Sequence, residues 1–68
     1  MTLFVTINGE NRRLDAPMSL TALLASLGLD PAKIAVERNL EIVPRSRYAE
    51  IMLNEGDEIE IVQFIGGG

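Results

Sequence analysis

The chain contains no cysteine and no histidine. Without cysteine there is no disulfide framework, no thiol nucleophile and no cysteine-based metal site. Without histidine, the usual general base and the commonest metal ligand are both missing. Long apolar runs are absent too: the longest is Ala22 to Ala25, far short of the roughly 20 residues that a membrane-spanning helix needs. The opening Met1-Thr2-Leu3-Phe4 reads as the start of a strand, with no basic region and no signal-peptide core. Positive charge is in deficit, with 6 Lys and Arg against 10 Asp and Glu and a formal net charge of −4. That balance argues against nucleic acid or an anionic membrane as a partner and suits docking onto basic protein surfaces. With 47% apolar and 24% charged residues, the composition is globular. At 68 residues, folding buries only about 60% of the surface that the unfolded chain exposes, so a deep catalytic cleft is hard to house. The expectation is one small cytoplasmic domain over residues 1–65, with no bound cofactor or metal and a flexible glycine tail over residues 66–68.

What is present is mostly strand. Leu3, Val5 and Ile7 alternate with Thr2, Phe4 and Thr6, the period-2 pattern of a half-buried strand. Asn8-Gly9 follows, a strong hairpin signal because a type I′ turn needs positive φ at both central positions. A second strand over Glu10 to Asp15 has only Leu14 on its buried face, which suits an edge. Ser19 is a good helix N-cap. Leu20, Leu23, Leu24 and Leu27 form one apolar stripe, and Gly28 closes a helix of about two and a half turns. Asp30-Pro31 prevents continuation. Ile34, Val36 and Ile42-Val43 read as strand around a bend at Glu37-Arg38-Asn39, and Pro44 ends the pairing. Arg45 to Glu50 reads as a turn or short 3₁₀ segment, Ile51 to Leu53 as a short strand, and Asn54 to Asp57 as a turn with Gly56 at positive φ. The last strand runs from Glu58 to Ile65. The order predicts an α+β fold, a mixed sheet of four to five strands curled around one main helix.

Parity along the last strand puts Ile59 and Ile61 on one face and Glu58, Glu60, Val62 and Phe64 on the other. Phe4 likewise faces away from Leu3, Val5 and Ile7. If these strands are neighbours, Phe4, Val62 and Phe64 form an exposed apolar patch leading toward the tail, a feature that marks protein contacts on small monomers. The competing readings are a β-bulge that returns Phe64 to the core and simple lateral cover by long side chains. The terminal Gly66-Gly67-Gly68 also has two readings, a frayed end or cloning remnant and a tail that threads a narrow channel. Lacking Cβ atoms, glycines take any backbone conformation that such a channel imposes, and three extended residues reach about 10 Å. Ordering them costs roughly 3–6 kcal/mol of backbone entropy, which a docking patch on the globular part offsets. The α-carboxylate of Gly68, ionised above a pKa of about 3.5, is a poor electrophile, so something else must activate it. No helix follows the glycines, so a phosphate loop is the wrong reading.

Several segments together resemble the sulfur-carrier family of thiamine biosynthesis: Thr6-Ile7-Asn8-Gly9-Glu10, Val36-Glu37-Arg38-Asn39, Glu41-Ile42-Val43-Pro44-Arg45-Ser46, Glu55-Gly56-Asp57 with Ile59-Glu60-Ile61-Val62, and the terminal glycines. The resemblance covers essentially the whole chain. It implies a ubiquitin-like β-grasp fold and a protein cosubstrate that is not itself an enzyme. On this resemblance the carboxylate of Gly68 is adenylated, with ATP and Mg²⁺ used by an E1-like adenylyltransferase. It then becomes a thiocarboxylate with sulfur from a cysteine desulfurase, and the sulfur passes to thiazole synthase. Gly66 and Gly67 enter the partner's active site while Phe4, Val62 and Phe64 dock. Lack of cysteine fits, since the sulfur rides on the C-terminus. One departure is Leu40, where many members have the glycine of an Asn-Gly turn; a shifted turn with intact function is expected.

Two rival functions share the fold and tail. The molybdenum-cofactor sulfur carrier commonly has prolines before its diglycine, where this chain has Gln63-Phe64-Ile65. A ubiquitin-like modifier would join Gly68 to lysines. A pure interaction domain with an inert tail is a third class. Arg45 and Arg47 read as solvated charges ahead of partner contacts, and Tyr48 as packing at the sheet edge. The acidic group Glu55, Asp57, Glu58 and Glu60 reads either as docking charge or as solubility charge. It lacks calcium-loop spacing.

Overall fold

The computed structural model describes residues 1–64. Alternation makes the first strand, β1 (Leu3–Ile7), and the Asn8-Gly9 turn returns the chain as β2 (Glu10–Leu14). Both turn residues have positive φ, 50° and 83°, as the two-residue hairpin requires. Helix α1 (Leu20–Ser26) starts at Ser19, whose hydroxyl accepts from the Ala22 N–H at 3.1 Å. It is shorter than the apolar stripe predicts, because Leu27 is already its cap and Gly28 turns away at φ 73°. A 3₁₀ turn (Pro31–Lys33), capped by the Asp30 carboxylate on the Ala32 N–H, leads into β3 (Ile34–Arg38).

Here the structure corrects the expected bend. Glu37 and Arg38 lie within β3, and only Asn39 and Leu40 form the connection to β4 (Glu41–Val43). Both connecting residues have positive φ, 52° and 70°. Leu40 therefore does not shift the turn: it adopts the left-handed conformation in place and stays exposed. A second 3₁₀ turn (Arg45–Arg47) follows Pro44. The short strand expected at Ile51 to Leu53 is reduced to one bridge between Ser19 and Met52. The Ile51 carbonyl there accepts from Leu20, and the Leu53 N–H donates to Met18, so these groups brace the helix start.

The last strand, β5 (Glu58–Gln63), ends two residues before the expected Ile65, which lies outside the described residues. It enters the centre of a five-stranded sheet of order β2-β1-β5-β3-β4, parallel to β1 and antiparallel to β3. One sheet face and α1 enclose the core. Leu20, Leu23 and Leu24 meet Val5, Ile34, Val36 and Ile59, each at most 1% exposed. At about 1.5–3 kcal/mol per fully buried aliphatic side chain, this face holds a helix too short to persist alone. Tyr48 is buried in the same cluster.

Candidate functional site

β5 is the last described strand, and it is held differently on its two sides. On one side β3 pairs with it from Arg38↔Ile59 to Ile34↔Gln63, and the Phe64 N–H continues the ladder to the Lys33 carbonyl at 2.8 Å. On the other side β1 pairs only at Thr6↔Glu58 and Ile7↔Ile59 before turning away. The Asn8 side chain takes over there: its Oδ1 accepts from the Ile61 N–H at 2.7 Å and its Nδ2 donates to the Ile61 carbonyl at 3.1 Å. The ladder is thus prolonged by a side chain after the backbone has left.

The start of β5 is fixed by Asp57, a buried carboxylate. It accepts from the Asn54 N–H at 2.8 Å, from Asn39 Nδ2 at 3.1 Å and from Arg38 Nε at 3.0 Å. Burial by itself pushes this carboxyl up, but the Asn54 N–H, the Asn39 amide and the Arg38 guanidinium outweigh it and hold the pKa below its ordinary value. Asn39 also accepts, through Oδ1, from the Glu58 N–H at 2.9 Å. The β3–β4 turn and the entry to β5 are therefore one hydrogen-bonded unit. Asp57 belongs to this structural unit and not to an exposed acidic surface.

The outer face of the sheet, opposite the helix, carries the residues that parity assigns to it. Phe4, Val62 and Phe64 are 43%, 60% and 51% exposed, and the unbroken register with β3 rules out a bulge that would bury Phe64. The parallel register separates them, however. Phe4 lies level with Gly56, whose N–H it accepts at 2.8 Å, six residues and about 20 Å along the strand from Val62. The residue directly beside Val62 is Ala35, and Ile42, 78% exposed, lies diagonally beyond it. The apolar surface at the tail end thus consists of Val62, Phe64, Ala35 and Ile42. Ala35 and Ile42 were not singled out in the sequence. The signal is the in-out alternation of Ile34, Ala35 and Val36 and of Ile42 with its chain neighbour Val43.

Arg45 is neither free nor outward-reaching: its guanidinium donates to the carbonyls of Pro31 and Ile34, at 2.8 and 3.3 Å, and ties two 3₁₀ turns together. Arg47 pairs with Glu50 at 3.2 Å on the surface. No group of three or more potential metal ligands occurs among the described residues, and no helix among them is long and apolar enough to cross a membrane. Gly66, Gly67 and Gly68 lie outside the described residues.

The ThiS family model matches residues 5–68, nearly the whole chain. The chain belongs to the ThiS family. The sulfur carrier protein ThiS of Bacillus subtilis is 52% identical over 46 residues, 68% of this chain and 70% of that protein. The crystal structure of the thiamine biosynthesis protein ThiS from Geobacter metallireducens superposes with a TM-score of 0.82 at 30% identity, covering 97% of this chain and all of that one. The five-stranded mixed sheet with one helix is accordingly the ubiquitin-like β-grasp of this ThiS structure. A thiazole synthase of Paramagnetospirillum magneticum is 59% identical over 64 residues, 94% of this chain. The chain spans only about a fifth of the length of that enzyme and of a second thiazole synthase that it matches.

Proposed function

We propose that the protein is a sulfur carrier of thiamine biosynthesis and that its chemistry resides in the carboxylate of Gly68. Family membership over residues 5–68 is the observation that carries this reading. β5 is clamped on both sides, by β3 and by the Asn8 side chain, and the apolar surface beside it provides for docking.

Activation begins when a carboxylate oxygen of Gly68 attacks the α-phosphorus of Mg-ATP in an E1-like adenylyltransferase, and pyrophosphate leaves. The terminal sulfur of a persulfide, supplied by a cysteine desulfurase, displaces AMP from the carbonyl carbon. A thiol then cleaves the resulting S–S bond, becoming a disulfide and leaving a thiocarboxylate on Gly68. Thiazole synthase takes that sulfur. The relatives in which a segment like this chain forms part of a thiazole synthase support that partnership, since fusion holds carrier and acceptor together. Val62 and Phe64 dock beside the entering Gly66 and Gly67, with Phe4 at the far end of the same face.

The test is pyrophosphate exchange into ATP by the adenylyltransferase with this protein as acceptor. Exchange that disappears when Gly68 is deleted supports the reading. Exchange without it, or conjugates of Gly68 to lysines in place of a thiocarboxylate, contradicts it.

A further inference from the structure

The antiparallel register sets Glu60 of β5 directly opposite Glu37 of β3, and Glu58 lies two residues along on the same face. All three are exposed, and none takes part in the ion pairs found among the described residues, which are Arg13–Asp15, Arg38–Asp57 and Arg47–Glu50. Like charges directly opposite on neighbouring strands destabilise a sheet. The chain has six cations, yet the nearby Arg38 is turned to Asp57, and Arg13 lies opposite Phe4 and pairs with Asp15. This carboxylate ridge runs straight into the apolar surface of Val62, Ala35 and Ile42.

We infer that the ridge and the apolar surface form one docking face for a partner protein that presents arginine or lysine side chains beside an apolar socket. The inference rests on the proposed function and adds the chemistry of the recognised surface. A second copy of this chain is a poor occupant. A two-fold contact through the same face would bring Glu37, Glu58 and Glu60 of both copies together. A basic partner instead relieves the Glu37–Glu60 repulsion on contact. Exposed carboxylates within a Debye length of about 8 Å of cationic groups also speed encounter, in a salt-dependent way.

The experiment compares the wild-type chain, Glu60→Gln and Glu37→Gln/Glu60→Gln. It measures urea unfolding and the association rate with purified thiazole synthase and purified adenylyltransferase, from low to physiological salt. The expected result is a higher urea midpoint for both variants, and for the double variant an association rate about tenfold or more below wild type at low salt, with a flatter salt dependence. Undiminished association of the variants, where wild type binds and forms the thiocarboxylate, overturns this inference alone. A wild type that binds neither enzyme overturns the inference and the proposed function together. A lowered urea midpoint contradicts the repulsion argument. A wild type that dimerises through this face, read from sedimentation, overturns the choice of occupant.

Discussion

The Asn8 side chain satisfies both backbone groups of Ile61, 53 residues away in sequence. Asn8 also occupies a positive-φ turn position, so a substitution must separate the two roles. Asn8→Gly keeps the turn and removes the clamp. It is expected to cost about 1–2 kcal/mol, from two lost hydrogen bonds at a partly exposed site. Hydrogen exchange should quicken at the Ile61 amide more than at the β1–β2 hairpin; equal change at both would place the effect in the turn.

Leu40 holds a left-handed conformation that costs an L-residue roughly 1–2 kcal/mol, and its side chain is exposed. Leu40→Gly should therefore stabilise the protein by about 0.5–1 kcal/mol, after the greater freedom of glycine in the unfolded chain is subtracted. Urea unfolding measures it. A loss of stability would show that the leucine makes a contact worth more than its strain.

Asp57 predicts an acid-sensitive fold. Its carboxyl is held lower in the folded chain than in the unfolded one, where the value is about 3.9. Its contribution is therefore complete above that value and is lost as pH falls from there through the folded value. Asp57→Ala should cost about 2–3 kcal/mol at neutral pH, because the Asn54 N–H and the Asn39 amide lose their acceptor. The variant should also lose less further stability than wild type below about pH 4. Parallel acid unfolding of the two proteins would contradict this role.

Phe4 and Phe64, both on the outer face of the sheet, should differ in effect. Phe64→Ala is expected to weaken adenylation about tenfold or more, as for an interface anchor, without changing the unfolding free energy by more than about 0.5 kcal/mol. Ile42→Ala should act in the same direction. Phe4→Ala, about 20 Å from Val62 along the strand, should have the smaller effect on adenylation. Equal losses for Phe4 and Phe64 would mean that the partner covers the whole sheet face.

Gly67→Val is expected to block activation while leaving the β-grasp intact, because a branched side chain limits the backbone conformations the tail can take in a channel. Steady-state adenylation with unaltered circular dichroism is the check; an active variant contradicts a narrow channel.

Local signals carried the elements furthest. Asn8-Gly9, the Ser19 cap, the leucine stripe and the alternation in β1 and β5 each have a cause within a few residues, and each element formed within the span of its pattern, the helix stopping at Ser26 and β5 at Gln63. The failures arose where distant groups decide. The sequence of Glu37-Arg38-Asn39 looks like a bend because charged residues interrupt the apolar pattern, but pairing with both β4 and β5 keeps Glu37 and Arg38 extended. Arg45 looks solvated until two carbonyls from another segment approach it. Asp57 looks like one surface acid among several until Arg38, Asn39 and Asn54 converge on it. The spread of Phe4 from Val62 depends on the parallel register of β1 and β5, which no property of either strand alone sets.

The most direct test is the intact accurate mass of the protein after incubation with the adenylyltransferase, Mg-ATP, a cysteine desulfurase and cysteine. The account predicts exchange of one oxygen for sulfur at Gly68, trapped by alkylation so that oxidation of Met1, Met18 or Met52 is not mistaken for it. An unmodified carboxylate under those conditions, in a protein that is folded and binds the adenylyltransferase, would contradict the carrier function.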